Sequence, residues 1–108
     1  MINVAVLGAA GRMGSHAIQA VQGAEGMSMV AALDSDDDIT LAAQAKAHVA
    51  VDFTVPDATE ANVHALIDAG IHAVVGTSGW TEESLARVED HLRERPDLGV
   101  LIAPNFAL

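Results

Sequence analysis

Residues 2–14, INVAVLGAAGRMG, decide the fold of this chain. The apolar run 2–7 is rich in β-branched side chains, is too short for a helix and ends at Gly8, which predicts a strand. A helical pattern follows the glycines directly, with Met13, Ala17, Ile18 and Val21 on one face. A strand that leads through a glycine turn into a helix is the first unit of a parallel βαβ fold.

The same alternation continues along the chain. Further apolar or β-branched runs predict strands at 27–33, 49–53, 72–75 and 98–102. A second helix is predicted with Ala58, Ala61, Ala65, Leu66 and Ala69 on its buried face and Gly70 at its end. A short helix is predicted within 39–47.

The last predicted helix begins at a Thr81 cap, with Glu82 and Glu83 in its first turn. Its buried face is expected to carry Leu85, Val88 and Leu92, and Pro96 is expected to end it. Strands that alternate with helices imply right-handed crossovers and a parallel sheet covered on both faces. The sequence therefore predicts one doubly wound, Rossmann-type α/β domain of about five strands over residues 1–108.

The glycine turn and a later acid predict a dinucleotide site. The turn has the spacing G-x-x-G-x-x-G over Gly8, Gly11 and Gly14, where the backbone can approach a pyrophosphate at the positive end of a helix. Asp34 ends the second predicted strand, twenty residues after Gly14, where a carboxylate accepts hydrogen bonds from an adenosine ribose. The alternative is a tight βα turn with an incidental surface acid.

The aromatic side chains support a ligand site at one edge of the sheet. Phe53, Trp80 and Phe106 each lie at or just past the carboxyl end of a predicted strand, where open parallel sheets bind ligands. The loops 52–56, 76–80 and 103–106 are therefore predicted to line one crevice. Thr77, Ser78 and Asn105 offer compact groups to a ribose or a carboxamide there. We interpret Asp52 as an end-of-strand cap and not as a catalytic acid.

Composition excludes several classes of function. Fifteen acidic against five basic residues give a net charge of −10, which excludes a phosphate-tracking nucleic-acid surface and an anionic membrane surface. The chain has no cysteine, its five histidines have no ligand-like spacing, and we assign no metal. The sequence GTSGW at 76–80 is not a G-x-S-x-G nucleophile elbow. Residues 1–7 carry no Lys or Arg and are too short for a signal peptide, so a cytoplasmic location is expected.

Four motifs together resemble the cofactor domain of dihydrodipicolinate reductase, an enzyme family of bacterial lysine and diaminopimelate biosynthesis. They are GAAGRMG at 8–14, DFT with Pro56 at 52–56, GTSGW at 76–80 and APNF at 103–106. Ser78, Trp80 and Ala107 depart from the residues usual in that family, which are Thr, Phe and Ser.

The resemblance implies a role for each motif. The glycine turn would bind the pyrophosphate, Asp34 the adenosine ribose, Phe53 and Thr54 the middle of the cofactor, and the last two motifs the nicotinamide half. The residues so assigned are Gly8, Ala9, Ala10, Gly11, Arg12, Met13, Asp34, Phe53, Thr54, Gly76, Thr77, Ser78, Ala103, Pro104, Asn105 and Phe106. The implied reaction is hydride transfer from NADH or NADPH to a cyclic, dianionic imine.

In that family a substrate domain follows the last motif, whereas this chain ends at Leu108. The resemblance therefore implies cofactor binding without turnover by this chain alone, and no catalytic residue is assigned to it. Full-length members are expected to be homo-oligomers. Two alternatives remain. One is the cofactor domain of another nicotinamide dehydrogenase, such as aspartate or homoserine dehydrogenase, against which the motifs at 52–54 and 104–106 argue. The other is a coenzyme A-binding module, against which Asp34 argues, because a ligand with a ribose 3′-phosphate should avoid an acid there.

The acidic segment after the second strand bears on cofactor choice. Asp34 is followed by Asp36, Asp37 and Asp38, and no Lys or Arg follows to pair with an adenosine 2′-phosphate. NADH is therefore expected to be preferred, with NADPH also accepted, because Arg12 in the glycine turn offsets part of the repulsion.

Overall fold

A computed structural model describes residues 1–103 of the chain. Strands and helices alternate through this part. The strands are β1 (Ile2–Leu7), β2 (Met27–Leu33), β3 (Val49–Asp52), β4 (His72–Val75) and β5 (Val100–Ile102). The helices are α1 (Arg12–Gln22), α2 (Thr40–Gln44), α3 (Pro56–Asp68) and α4 (Glu82–Leu92).

The five strands form one parallel sheet in the order β2-β1-β3-β4-β5. The predicted fold class and strand number are confirmed. The chain leaves β1 for β2 on one side and reaches β3 on the other, so the α1 and α3 crossovers run in opposite directions and cover opposite faces. The reversal opens a crevice between the carboxyl ends of β1 and β3, which is where such sheets bind ligands.

Small residues in the central strands let the helices pack closely on the sheet. Ala5, Ala50 and Ala73 occupy neighbouring strands, and each is at most 1% exposed. Large apolar side chains from α3 and the loop after it fill the space above them. These are Val63, Leu66, Ile67 and Ile71.

The predicted buried face of α3 is only partly correct. Leu66 is buried as predicted, and Ala58 and Ala65 are half-buried. Ala61 and Ala69 are exposed, and Thr59, Val63 and Ile67 are buried instead. Burying larger aliphatic side chains removes more apolar surface from water than burying alanines, so the helix turns toward them. On α4, Val88 is buried as predicted, but Leu85 is 37% exposed.

The predicted helix boundaries agree with the structure better than the predicted buried faces do. Thr81 caps α4, and its side chain and that of Ser84 form a reciprocal capping box with the two backbone N–H groups. Gly70 follows α3 with a positive φ of 78°. α4 ends at Leu92, before Pro96, because the chain already turns at Arg93.

A cluster of polar side chains connects helices α3 and α4 where the two helices face each other. Arg87 forms a bidentate ion pair with Glu60, at 2.7 and 2.8 Å. His64 and His91 stack, their Nδ1 atoms lie 2.7 Å apart, and the Nε2 atom of His91 lies 2.8 Å from a carboxylate oxygen of Asp68.

Candidate functional site

The glycine turn after β1 is held against the ends of β2 and β3. The N–H groups of Gly8 and Ala9 donate to the carbonyl oxygen of Leu33, at 2.8 and 3.1 Å. Gly8 has a φ of 82°, and a Cβ built on it would lie 2.5 Å from the carbonyl oxygen of Phe53. The turn therefore needs glycine at this position for both conformation and space.

The other two glycines of the turn differ from each other. A Cβ on Gly14 would lie 2.0 Å from the carbonyl oxygen of Gly8, so Gly14 lets α1 pack against the turn. A Cβ on Gly11 meets nothing closer than 3.5 Å. Gly11 is the N-cap of α1 and supplies no side-chain cap, and the first turn of the helix holds no acidic residue. The helix thus presents first-turn amides to an anion.

Asp34 lies beside this turn at the end of β2. Its Oδ1 accepts a 2.9 Å hydrogen bond from the backbone N–H of Ala10, and its own N–H donates to Oδ2 of Asp37 at 2.9 Å. The side chain is exposed. Oδ1 thus connects Asp34 to the glycine turn through a hydrogen bond. Asp34 lies at the edge of the crevice, beside the turn, which is the position that the sequence predicts.

The crevice has two compartments. The first has a volume of about 300 Å³ and lies between the glycine turn, the 34–39 loop and the start of α3; Gly8, Gly11, Asp34, Asp37, Ile39, Val55 and Asn62 are among its lining residues. The second has a volume of about 200 Å³ and is lined by Met13, Phe53, Thr54, Pro56, Gly76, Thr77 and Ser78. Phe53 and Thr54 line both. The volumes and the shared wall suit a ligand with two linked ring systems.

Asp52, at the end of β3, is fully buried behind the wall between the compartments. Its Oδ1 accepts from the N–H and the hydroxyl of Thr54, at 2.8 and 2.6 Å, and from the hydroxyl of Thr77 at 3.1 Å. Its Oδ2 accepts from the hydroxyl of Thr59 at 3.2 Å and from Nδ2 of Asn62 at 3.3 Å. The hydrogen bond from the N–H of Thr54 agrees with the interpretation of Asp52 as an end-of-strand cap. The carboxylate also accepts hydrogen bonds from side chains of α3 and of the loop after β4, which a simple cap does not do.

Most of the predicted site residues meet around these compartments. Gly8, Gly11 and Asp34 line the first, Met13 and the 76–78 loop line the second, and Phe53 and Thr54 line both. Ala9, Ala10 and Arg12 belong to the turn but line neither compartment. Ala103 extends the β4–β5 pairing through a hydrogen bond to Val75. The predicted residues Pro104, Asn105 and Phe106 lie outside the described residues.

Two predictions about the 76–80 loop are wrong. The Thr77 hydroxyl was expected to face a ribose or carboxamide, but it is buried and lies within 3.1 Å of Asp52. Trp80 was expected to line the crevice, but it lines neither compartment and packs against the hydrophobic core. Its indole N–H is buried and has no hydrogen-bond partner within residues 1–103.

Two residues that line the first compartment were not predicted, Asn62 and Ile39. Asn62 lies in the middle of α3, and no local pattern in the sequence distinguishes it from the other polar residues of that helix. Ile39 lies at the N-cap of α2 and lines the compartment with an apolar side chain. Val55 also lines it and belongs to the 52–56 loop, which was predicted to line the crevice.

Comparison with known proteins gives the family. The profile described as "Dihydrodipicolinate reductase, N-terminus" matches residues 2–106. The chain belongs to the dihydrodipicolinate reductase family. A 4-hydroxy-tetrahydrodipicolinate reductase of Beutenbergia cavernae is 64% identical over 99% of this chain and 43% of its own length, and that of Streptomyces coelicolor is 50% identical over the same shares. The chain thus spans less than half the length of these dihydrodipicolinate reductase relatives and corresponds to their N-terminal, dinucleotide-binding domain.

Solved structures agree with this dihydrodipicolinate reductase assignment. A dipicolinate-bound dihydrodipicolinate reductase from Paenisporosarcina sp. TG-14 superposes with a TM-score of 0.86 and 26% identity, over 99% of this chain and 48% of that one. Homoserine dehydrogenase of S. aureus superposes with a TM-score of 0.77 at 14% identity, which shows a shared fold alone. In the described part of the chain, no helix is both long and apolar enough to cross a membrane.

Proposed function

We propose that this chain binds NADH across the two compartments as the cofactor domain of a reductase that acts on a cyclic dicarboxylate imine. The observation that carries the proposal is the juxtaposition of three features: the uncapped start of α1, the glycine turn, and the carboxylate of Asp34 fastened to that turn at 2.9 Å. Pyrophosphate and ribose are neighbours in a dinucleotide, and their usual partners are neighbours here.

The residues present fit such a cofactor. The turn brings main chain against main chain at Gly8, and Gly11 adds no side chain next to the helix amides, so no side chain at either glycine obstructs a pyrophosphate. Asp34 would accept hydrogen bonds from the adenosine ribose, and Ile39 and Val55 offer apolar walls in the same compartment. The 76–78 loop would hold the nicotinamide half with its backbone, since Thr77 turns its hydroxyl away. A bound reduced nicotinamide supplies the hydride.

We further propose that NADH is preferred over NADPH. The carboxylates of Asp34 and Asp37 both line the first compartment, and a 2′-phosphate on the ribose would add negative charge beside them. Arg12 is exposed in the turn and is the cation that offsets part of this repulsion, which supports a preference and not strict exclusion.

A glycine-to-valine pair tests the proposed site. In Gly11→Val the added side chain enters the first compartment, and calorimetry should show NADH binding lost. Gly23→Val is the matched control: its nearest neighbour to an added Cβ is also at 3.5 Å, but Gly23 caps the far end of α1. It should bind NADH as the wild type does.

Equal NADH binding by the wild type and Gly11→Val would show that the ligand does not use this turn. Coenzyme A binding more tightly than NADH would favour the coenzyme A-binding alternative. The cytoplasmic location expected from the sequence stays a prediction, which cell fractionation tests.

A further inference from the structure

The buried network around Asp52 joins residues from both compartments. Asn62 lines the first compartment, Thr77 lines the second, and Thr54 lines both; each donates to the Asp52 carboxylate. Thr59 is buried and lines neither, and it connects the same carboxylate to α3. One side chain thus connects three segments that follow one another around the crevice.

The network requires a carboxylate and not merely a polar group. A carboxylate accepts hydrogen bonds at both oxygens, and donors approach it here on both. An amide of the same shape would turn an N–H₂ group toward one set of donors. The partners are neutral N–H and O–H groups, so the geometry depends on several hydrogen bonds at once and not on one ion pair.

The backbone around Asp52 adds a second connection between the same segments. Its carbonyl oxygen accepts from the N–H of Gly76 at 2.9 Å, so β3 and the loop after β4 are bonded at main chain and side chain together. Gly79 packs in turn against Pro56: a Cβ there would lie 2.7 Å from the proline Cβ. The second compartment therefore has little freedom to shift relative to the first while Asp52 is in place.

We propose that Asp52 is a positioning residue that fixes the spacing between the two compartments, so that one dinucleotide fits both at once. The inference rests on the proposed function, since it assigns the two compartments to the two halves of NADH. It predicts that losing the carboxylate weakens a ligand that spans both compartments more than a ligand confined to the first.

The experiment compares NADH with ADP, which lacks both the nicotinamide ring and its ribose, on the wild-type chain and on Asp52→Asn. The affinity for NADH should fall about tenfold, as expected for the loss of hydrogen bonds to a charged acceptor, while that for ADP changes less than about threefold. Ser84→Ala is the control, because it removes a buried hydroxyl from the α4 capping box outside both compartments. It should change neither affinity.

Thr77→Val and Thr77→Ser provide a second test if Asp52→Asn does not fold. Valine removes the hydrogen bond from the second compartment and should reproduce the loss of NADH affinity while the affinity for ADP is unaffected. Serine keeps the hydroxyl and should restore NADH binding. Equal losses for the two ligands, or none, would overturn the positioning role while leaving the proposed function intact. A wild-type chain that binds neither ligand would overturn both.

Discussion

Two aspartates lie at the carboxyl ends of β2 and β3, the strands on either side of β1, and they differ in almost every physical respect. Asp34 follows β2, is exposed, and holds the glycine turn through the single N–H of Ala10. Asp52 ends β3, is fully buried, and is surrounded by hydroxyl, amide and backbone donors. Both acids lie at the carboxyl end of a strand, and their burial separates them in the way that their different predicted roles require.

The difference shows that, within one site, a buried carboxylate and an exposed carboxylate have different roles. A buried carboxylate has lost its water and is stabilised by fixed donors, so it organises the surrounding segments but is not free to meet a ligand. An exposed carboxylate keeps acceptor capacity for a ligand and contributes little to folding. The contrast between Asp34 and Asp52 can be measured directly.

Stability should show the largest contrast. Asp52→Ala leaves several buried donors without an acceptor and should lower the free energy of unfolding by about 3 kcal/mol. Asp34→Ala removes one exposed hydrogen bond and should lower it by about 0.5 kcal/mol. Urea denaturation followed by circular dichroism compares the two. Equal losses would mean that the contrast in burial has no energetic counterpart.

Cofactor choice should show the opposite contrast. Asp34→Asn keeps an oxygen for the N–H of Ala10 but removes the charge, so the preference for NADH over NADPH should fall from about tenfold toward parity, a change of about 1.4 kcal/mol. Arg12→Ala should widen the preference. Competitive titrations at one ionic strength measure both. A wild type that binds NADPH as tightly as NADH would show that the acidic loop does not face the 2′ position.

Two threonines that each bond an aspartate should sharpen the comparison further. Thr59→Val removes the buried hydroxyl next to Asp52 at nearly constant volume and should cost about 1 kcal/mol of stability. Thr40→Val is the exposed counterpart: it keeps the backbone N–H that bonds the exposed Asp38 at 2.9 Å and should cost less stability than Thr59→Val. Thermal unfolding of both variants provides the measurement. A larger loss in Thr40→Val would reverse the ranking by burial.

A third acid, Glu60, forms an ion pair with Arg87, and breaking this pair should have the smallest effect on the free energy of unfolding. Hydrogen bonding from Arg87 lowers the pKa of Glu60 from 4.5 to about 2. Its contribution to stability is therefore present above pH 4.5 and is lost as the pH falls toward 2. Arg87→Ala should lower the stability at pH 7 only slightly, because a partly exposed ion pair contributes little.

The matching measurement is the pH dependence of unfolding. The stability difference between the wild type and Arg87→Ala should shrink between pH 4.5 and 2. A difference that stays constant over this range would show that Arg87 stabilises the α3–α4 packing through its apolar stem and not through Glu60.

The strands were predictable because each is a short apolar or β-branched run, which is a strong local signal. β1, β2 and β4 have the predicted bounds. The buried face of α3 was not predictable by the same means, because its alanines fit several faces equally well and only packing on the sheet favours Val63 and Ile67.

The candidate site was predictable where it depends on backbone geometry. The glycine turn and Asp34 form a local pattern tied to strand ends, and the structure brings them together. The direction of the Thr77 hydroxyl and the position of Trp80 depend on which neighbours arrive from β3 and α3, so no local pattern encodes them. The sequence located Asp52 at the end of β3 but did not indicate its hydrogen-bond partners. The donors are four residues that are separated along the chain: Thr54, Thr59, Asn62 and Thr77.

The close approach of main chain to main chain at Gly8 has a consequence for protein engineering. Its neighbour is the carbonyl group of Phe53, which no side-chain substitution can remove, so a library that varies Gly8 or Gly14 samples mostly misfolded chains. At Gly11 an added Cβ would be in ordinary contact with the carbonyl oxygen of Gly8, so the fold tolerates a side chain there but the proposed cofactor does not. Ser35 and Asp36 are exposed, whereas the side chain of Asp37 accepts from the N–H of Asp34. Efforts to redirect cofactor choice therefore begin at positions 35 and 36, beside an otherwise fixed turn.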